Sequence, residues 1–257
     1  MLVDTHCHLD AAEFDTDRDA VAAAARAAGV GAIVVPAVER ANFGAVASVC
    51  RDYPGCVAAY GIHPMYVDRA REEDLAALHD VVRRERPLAI GEIGLDAFAE
   101  PRDDARQEVY LAAQLRIARE AGLPVLLHVR RAVDRVLKHL RACRVPGGIA
   151  HAFNGSRQQA DEFIGLGFKL GFGGAMTFER ATRIRELAAE LPLDAIVLET
   201  DAPDIPPHWL GGGRNAPDQL PRIAAVLARL RGMDTDAVAV ATTANARAAL
   251  PGLNRIN

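Results

Sequence analysis

His6 and His8 stand two residues apart in the opening run LVDTHCHLD. The apolar residues around Val3 predict a short strand, whose side chains alternate between faces, so both imidazoles point one way and Cys7 the other. With Asp10 just beyond, the pair is half of a metal site. Matching groups follow along the chain: Glu92 in IGEIGLD, with Asp96 after it, His128 in PVLLHVR, His151 in GGIAHAFNGS, and Glu199 and Asp201 in IVLETDAP. Each alone has a plain structural reading, since a strand-end histidine is commonly just hydrogen-bonded and an Asp before Ala-Pro starts a turn. Together they do not, because four of the eight histidines would have to reach such places by chance.

What must position these groups is a rhythm of short apolar, β-branched runs alternating with helix-length amphipathic stretches. Strands are predicted at Leu2–Thr5, Ala32–Pro36, Val57–Gly61, Leu88–Gly91, Pro124–His128, Gly148–His151, Phe168–Phe172 and Ile196–Thr200. Helical patterns lie between them at Asp17–Ala28, Ala41–Asp52, Glu72–Glu85, Asp103–Ala121, Ala132–Cys143, Ser156–Leu166 and Phe178–Glu190. A Pro/Gly-rich loop, Ala202–Pro217, then leads to two further helices, Asp218–Leu230 and Asp234–Ala249. Gly29, Gly122 and Gly167 stand where helix-ending left-handed caps are expected. Eight alternating β and α elements in 257 residues suggest a closed (β/α)8 TIM barrel, with a doubly wound open sheet as the alternative. No linker or composition shift divides the chain, so residues 1–257 read as one domain. Reacting groups of such barrels sit at the C-terminal strand ends, which is where His6, His8, Glu92, His128, His151 and Asp201 fall.

Six ligands exceed what one catalytic metal with an open position takes. They suit two, with His6, His8 and Asp201 around one, His128 and His151 around the other, and Glu92 between them. Two ions about 3.5–4 Å apart lower the pKa of a shared water and clamp attacking and leaving oxygens. Asp201 could also serve as base toward that water, and Glu92 as the bridging carboxylate. Four imidazoles favour Zn, Mn, Fe, Co or Ni over Mg, and the residues do not select among them. His63, in YGIHP, reaches the same rim and reads as a substrate contact, while His79 and His139 fall inside helical patterns and His208 in the loop after the last strand. No nucleophile elbow, P-loop or GxGxxG fingerprint is present, so covalent acyl transfer and nucleotide-cofactor chemistry find no support.

A net charge of −4 excludes a broad basic surface for nucleic acid but leaves room for an Arg-lined cleft. No apolar run reaches the ~20 residues of a membrane span and no secretory leader is apparent. Cys7, Cys50, Cys56 and Cys143 form no CxxC pair, as expected of reduced thiols in a cytoplasmic enzyme.

The motifs DTHCHLD, GIHP, GEIGLD, LLHVRRA, HAFNGS, the Gly167–Phe178 stretch, LETDAP and TTANARAAL occur in the order found in the TatD family of metal-dependent hydrolases, and the chain resembles that family almost end to end. The resemblance implies a (β/α)8 barrel, divalent metals and hydrolysis of phosphodiester bonds in DNA. It carries the family's metal ligands onto the same six residues, His6, His8, Glu92, His128, His151 and Asp201. The chain departs from the pattern at Ala97–Glu100, where aromatic residues are usual, at Arg130-Arg131 within HVRRA, and at Arg214–Pro217, which read RNAP. Arg130 is the nearest candidate for gripping a phosphate oxygen, since the guanidinium fork suits that task. Asp96 and Asp204 could orient water or a histidine, or be turn residues.

The leading expectation is a divalent-metal phosphodiesterase, a deoxyribonuclease trimming 3′ ends, acting on DNA ends or a small phosphodiester without an obligate protein partner. Within the same fold, hydrolysis of a small ester, lactone, amide or phosphoester is the alternative. From another class, a non-catalytic metal-binding protein would keep the barrel for an interaction role.

Overall fold

Period-2 alternation of β-branched and apolar residues makes the strands, and the same alternation sorts their side chains between two cores. A computed structural model describes residues 1–255. Its strands are β1 (Leu2–Asp4), β2 (Val30–Pro36), β3 (Cys56–Tyr60), β4 (Ala89–Asp96), β5 (Val125–Arg130), β6 (Gly148–Ala150), β7 (Phe168–Phe172) and β8 (Ile196–Leu198). All pair in parallel in sequence order. Thr5 donates its backbone N–H (3.1 Å) and its hydroxyl (3.0 Å) to the Leu198 carbonyl, and Asp201 N–H donates to His6 O at 2.8 Å, which joins β1 to β8 and closes the (β/α)8 barrel.

Around it lie α1 (Arg18–Ala27), α2 (Phe43–Asp52), α3 (Glu72–Glu85), α4 (Asp104–Ala121), α5 (Val133–Ala142), α6 (Arg157–Gly165), α7 (Thr182–Glu190), α8 (Leu220–Arg231) and α9 (Thr235–Ala249). On β2, Ala32 and Val34 face the barrel interior while Ile33 and Val35 pack under the helices. On β5, Leu126 faces in and Val125 and Leu127 face out, which puts His128 on the inward parity. Leu250 and Leu253, after α9, join Leu88 and Val197 in the interior cluster and seal the N-terminal end of the barrel. Reacting groups are thereby confined to the opposite, C-terminal end. No described helix is long and apolar enough to cross a membrane.

Two elements differ from the sequence-based expectation by more than two residues at an end. The helix expected from Phe178 begins at Thr182, because the Thr177 hydroxyl donates to Gly174 O and accepts from His208 N–H, holding residues 174–177 in a 3-10 turn. The fourth strand runs on to Asp96 instead of ending at Gly91, so Glu92 lies inside it and not at its tip. Ile90 pairs with Val125 but Ile93 with Leu127, so β4 carries one residue more than β5 across this stretch. That bulge re-aims a side chain, here Glu92. It needs glycine alongside: a Cβ on Gly94 would lie 1.9 Å from the His128 carbonyl oxygen.

Candidate metal centre

The rim groups converge as ligand chemistry requires. His6 and His8 follow β1, and their Nε2 atoms lie 3.3 Å apart. Glu92 Oε2 is 3.1 Å from the first and 3.5 Å from the second, and Asp201 Oδ1 is 3.6 and 3.7 Å away. Glu92 turns its other oxygen to the next pair, with Oε1 3.0 Å from His128 Nδ1 and 2.9 Å from His151 Nε2. The structure thus brings together all six residues expected from sequence, with Glu92 between two groups of nitrogens.

Electrostatics shows what the cluster lacks. His6, Glu92 and His151 are almost wholly buried. Burial, and then the neighbouring His151, drives the His6 pKa down to about 3. Burial also opposes charge on His8, but its hydrogen bond and charge pairing with Glu92, and Asp201 beside it, override this and raise it to about 9. Burial would raise Glu92, yet the surrounding His63, His151 and His6 hold it well below the ordinary carboxylate range. For Asp201 burial wins over the pull of His151 and His8, giving about 6. Lone pairs facing one another at 3 Å in a buried site require a cation between them, a proton or a metal. The groups His6–His8–Asp201, His6–Glu92–His151 and His63–Glu92–His128 each bring three donor atoms within 4.8 Å of one another. Mixed imidazole and carboxylate donors fit a divalent transition metal or zinc.

The surroundings orient the ligands. Asp96 Oδ2 lies 2.9 Å from His128 Nε2, which leaves Nδ1 facing Glu92. The same carboxylate accepts from Phe98 N–H (2.7 Å) and Ala99 N–H (2.8 Å) through Oδ1, and the His128 contact and these donors hold its pKa down against burial. Asp96 thus fills two of the roles open to it, holding His128 through Oδ2 and the turn at Phe98 and Ala99 through Oδ1. Asp204 is a turn residue, donating its N–H to Asp201 O at 2.8 Å. His63 accepts Met65 N–H at Nδ1 (3.1 Å), which puts its proton on Nε2, 3.4 Å from Glu92 Oε1. Burial lowers its pKa to about 4, so at neutral pH it is an uncharged donor at the floor of the cleft.

Sequence reasoning passed over Asp4 entirely, as it did Arg183 in the wall of the cleft. Asp4 is fully buried; Oδ1 accepts from His6 N–H (3.3 Å) and Thr200 N–H (3.0 Å), and Oδ2 from the Thr200 hydroxyl (2.6 Å). It ties the segment carrying His6 and His8 to the segment carrying Asp201. The available signal was a carboxyl set inside an apolar strand. Glu199, named only as a strand-end group, accepts Ala152 N–H and lies 3.7 Å from His151 Nδ1. Gly171 makes room for it, since a Cβ there would fall 2.1 Å from Glu199 Oε2.

The remaining groups sort plainly. His79 and His139 lie on α3 and α5, and His208 packs against Trp209 outside the lining of this cleft. Arg130, Arg131 and Phe98 line the cleft, so two of the segments that depart from the family pattern face it. The third does not. Arg214 pairs with Asp17 at 2.6 Å, and buried Asn215 donates to Thr200 O at 2.8 Å, so this loop braces the scaffold.

The chain is similar to known proteins over almost its whole length. The family described as TatD related DNase matches residues 3–251. The metal-dependent hydrolase YjjV of Escherichia coli (strain K12) is 42% identical over 247 residues, 95% of each chain. The 3′-5′ ssDNA/RNA exonuclease TatD of Klebsiella pneumoniae (strain 342) is 34% identical over 256 residues, 96% of each. The crystal structure of YjjV, a TatD homologue from E. coli K12, superimposes with a TM-score of 0.94 at 40% identity, covering 97% of this chain and 98% of that one. With a matching family over nearly its whole length and relatives above 30% identity, the chain belongs to the TatD family.

Proposed function

We propose that this protein is a divalent-metal-dependent phosphodiesterase that removes nucleotides from the 3′ end of single-stranded DNA. The observation that carries the reading is the buried cluster of four histidines and two carboxylates opening into a cleft whose wall holds Arg130, Arg131 and Arg183. Membership of the TatD family and the ssDNA/RNA exonuclease named among its relatives support the substrate class.

His6, His8 and Asp201 would hold one ion, His128 and His151 a second, and Glu92 would bridge them. When bound, such ions supply Lewis-acid polarisation of a phosphoryl oxygen and a more acidic water. The chain's own groups do the rest. Asp201, beside His6 and His8, is placed to take the proton of the attacking water. His63, neutral with its proton on Nε2, donates a hydrogen bond to a phosphate oxygen on the cleft floor. Arg130, with its side chain half exposed and 4.0 Å from Asp96, lines the same cleft and offers its guanidinium to the backbone phosphates of the bound strand.

The test is incubation of the purified protein with Mn or Mg and 5′-labelled single-stranded DNA, beside a panel of esters and lactones. Stepwise shortening from the 3′ end, abolished in His128→Ala, is expected. Hydrolysis of carbonyl esters without any cleavage of DNA would overturn the reading in favour of a small-molecule hydrolase.

A further inference from the structure

The charges lining the cleft are not evenly spread around the barrel. The loops after β1 and β2 contribute Asp10, Glu13 and Glu39, whereas the end of β5 and the residue after it contribute Arg130 and Arg131, and α7 contributes Arg183. Two further carboxylates line the cleft, Asp134, which is engaged by Gln159 Nε2 at 2.8 Å, and Asp204 in the loop after β8.

Within the basic arc one group is built for an anion. Phe98 is an exposed large hydrophobic, and two guanidiniums stack on it: Arg130 Cζ lies 3.9 Å and Arg131 Cζ 4.4 Å from the ring centroid. Arg131 has a left-handed backbone, φ 54°, which carries its side chain back to Phe98 instead of onward along the chain. It makes no ion pair or hydrogen bond through its guanidinium among the described residues. Arg130 has only Asp96 at 4.0 Å, a carboxylate already occupied by His128 and two backbone N–H groups. Two aromatic-braced guanidiniums, that of Arg131 without a carboxylate partner and that of Arg130 with only a shared one at 4.0 Å, stand ready for an anion beside the residue that orients His128.

We propose that Arg130 and Arg131, bracketed by Phe98, form a phosphate subsite for the internucleotide linkage flanking the one cleaved. This makes the enzyme selective for substrates carrying at least two linkages. The proposal rests on the phosphodiesterase reading and deepens it. An extended strand then crosses the basic arc, with Arg183 farther along its path, and leaves the acidic arc free.

The test uses the full-length, metal-loaded protein and a labelled short oligothymidylate with nuclease-resistant phosphorothioate linkages, its binding followed by fluorescence anisotropy across a salt series. Arg131→Gln should weaken binding about tenfold and reduce the salt slope by about 0.7. Phe98→Ala should weaken binding in the same direction. Arg51→Gln, which removes an exposed α2 charge paired with Asp52, should change neither. Neutralising linkages one at a time as methylphosphonates should find one position that costs wild-type affinity and costs nothing further in Arg131→Gln. Unchanged affinity and slope in Arg131→Gln, or no binding by wild type, would overturn the subsite. Cleavage separates the two readings. Binding lost in Arg131→Gln by a wild type that cleaves no DNA sinks the catalytic reading alone, and normal cleavage with Arg131-independent binding sinks the subsite alone.

Discussion

Replacing Asp96 by Asn changes one atom and should trap His128 in the wrong tautomer. Oδ2 now takes the His128 Nε2 proton at 2.9 Å, leaving the Nδ1 lone pair toward Glu92. In Asp96→Asn, an amide with Nδ2 in that place offers hydrogens to Nε2, which must accept, and the proton moves to Nδ1, where a ligand atom is needed. Flipping the amide restores His128 but points Nδ2 at Phe98 N–H and Ala99 N–H, which lose their acceptor. Neither orientation satisfies both sides. The residue itself cannot move away, because Gln107 accepts Asp96 N–H (2.9 Å) and donates to Asp96 O (3.1 Å). Loss of such an outer partner costs about 10–100-fold in metal affinity or activity, or about 1.4–2.7 kcal/mol. The fold should lose only about 1 kcal/mol, whereas Asp96→Ala strands two backbone donors at about 1–3 kcal/mol each. Chelator competition measures the affinity, and ¹⁵N shifts of the imidazole nitrogens report the tautomer. Wild-type affinity in Asp96→Asn, or an unchanged Nε2 proton, would refute the reasoning.

Gly94→Ala should destabilise the protein by at least about 3 kcal/mol, because the new Cβ meets the His128 carbonyl at 1.9 Å; a near-wild-type melting curve would contradict this. Asp4, its pKa raised to about 7 from 3.8 by burial despite the Thr200 and His6 hydrogen bonds, gives a pH signature. Between those values the folded state keeps a proton that the unfolded state has released, so stability falls as pH rises toward about 7 and then levels off. Denaturant midpoints of wild type and Asp4→Asn should therefore converge toward low pH, the wild-type curve alone carrying this slope; parallel curves would count against it. Stripping metal present at 100 times its Kd should remove about 2.7 kcal/mol and lower Tm by about 5–10 °C, checked by calorimetry with and without chelator.

The barrel and its six convergent side chains were readable in the chain because both rest on parity. A period of two fixes which face a strand residue takes, and parallel strands put their ends on one rim, so His128 and His151 could be placed from spacing alone. Glu92 was placed at the right rim for an incomplete reason, since the bulge that aims it depends on how β4 registers against β5. Arg131 and Phe98 lay beyond such reasoning. Their meeting depends on a left-handed residue and on loop paths that alternation does not encode. Arg214 drew attention as a departure from the family pattern, yet it serves Asp17, a residue 197 positions away.

The Asp4–Thr200 hydrogen bonds join residues 196 apart in sequence, and they sit at the seam where the ring of strands shuts. A chain still emerging from the ribosome owns His6 and His8 long before it owns Asp201. The carboxylate arrives with the last strand, so the corner formed by His6, His8 and Asp201 is complete only at the end of synthesis. Once present, a cation held by both ends of the ring would act as a clasp. Amide hydrogens of residues 4–8 and 198–202 should then exchange together, and more slowly in the loaded protein than in the stripped one.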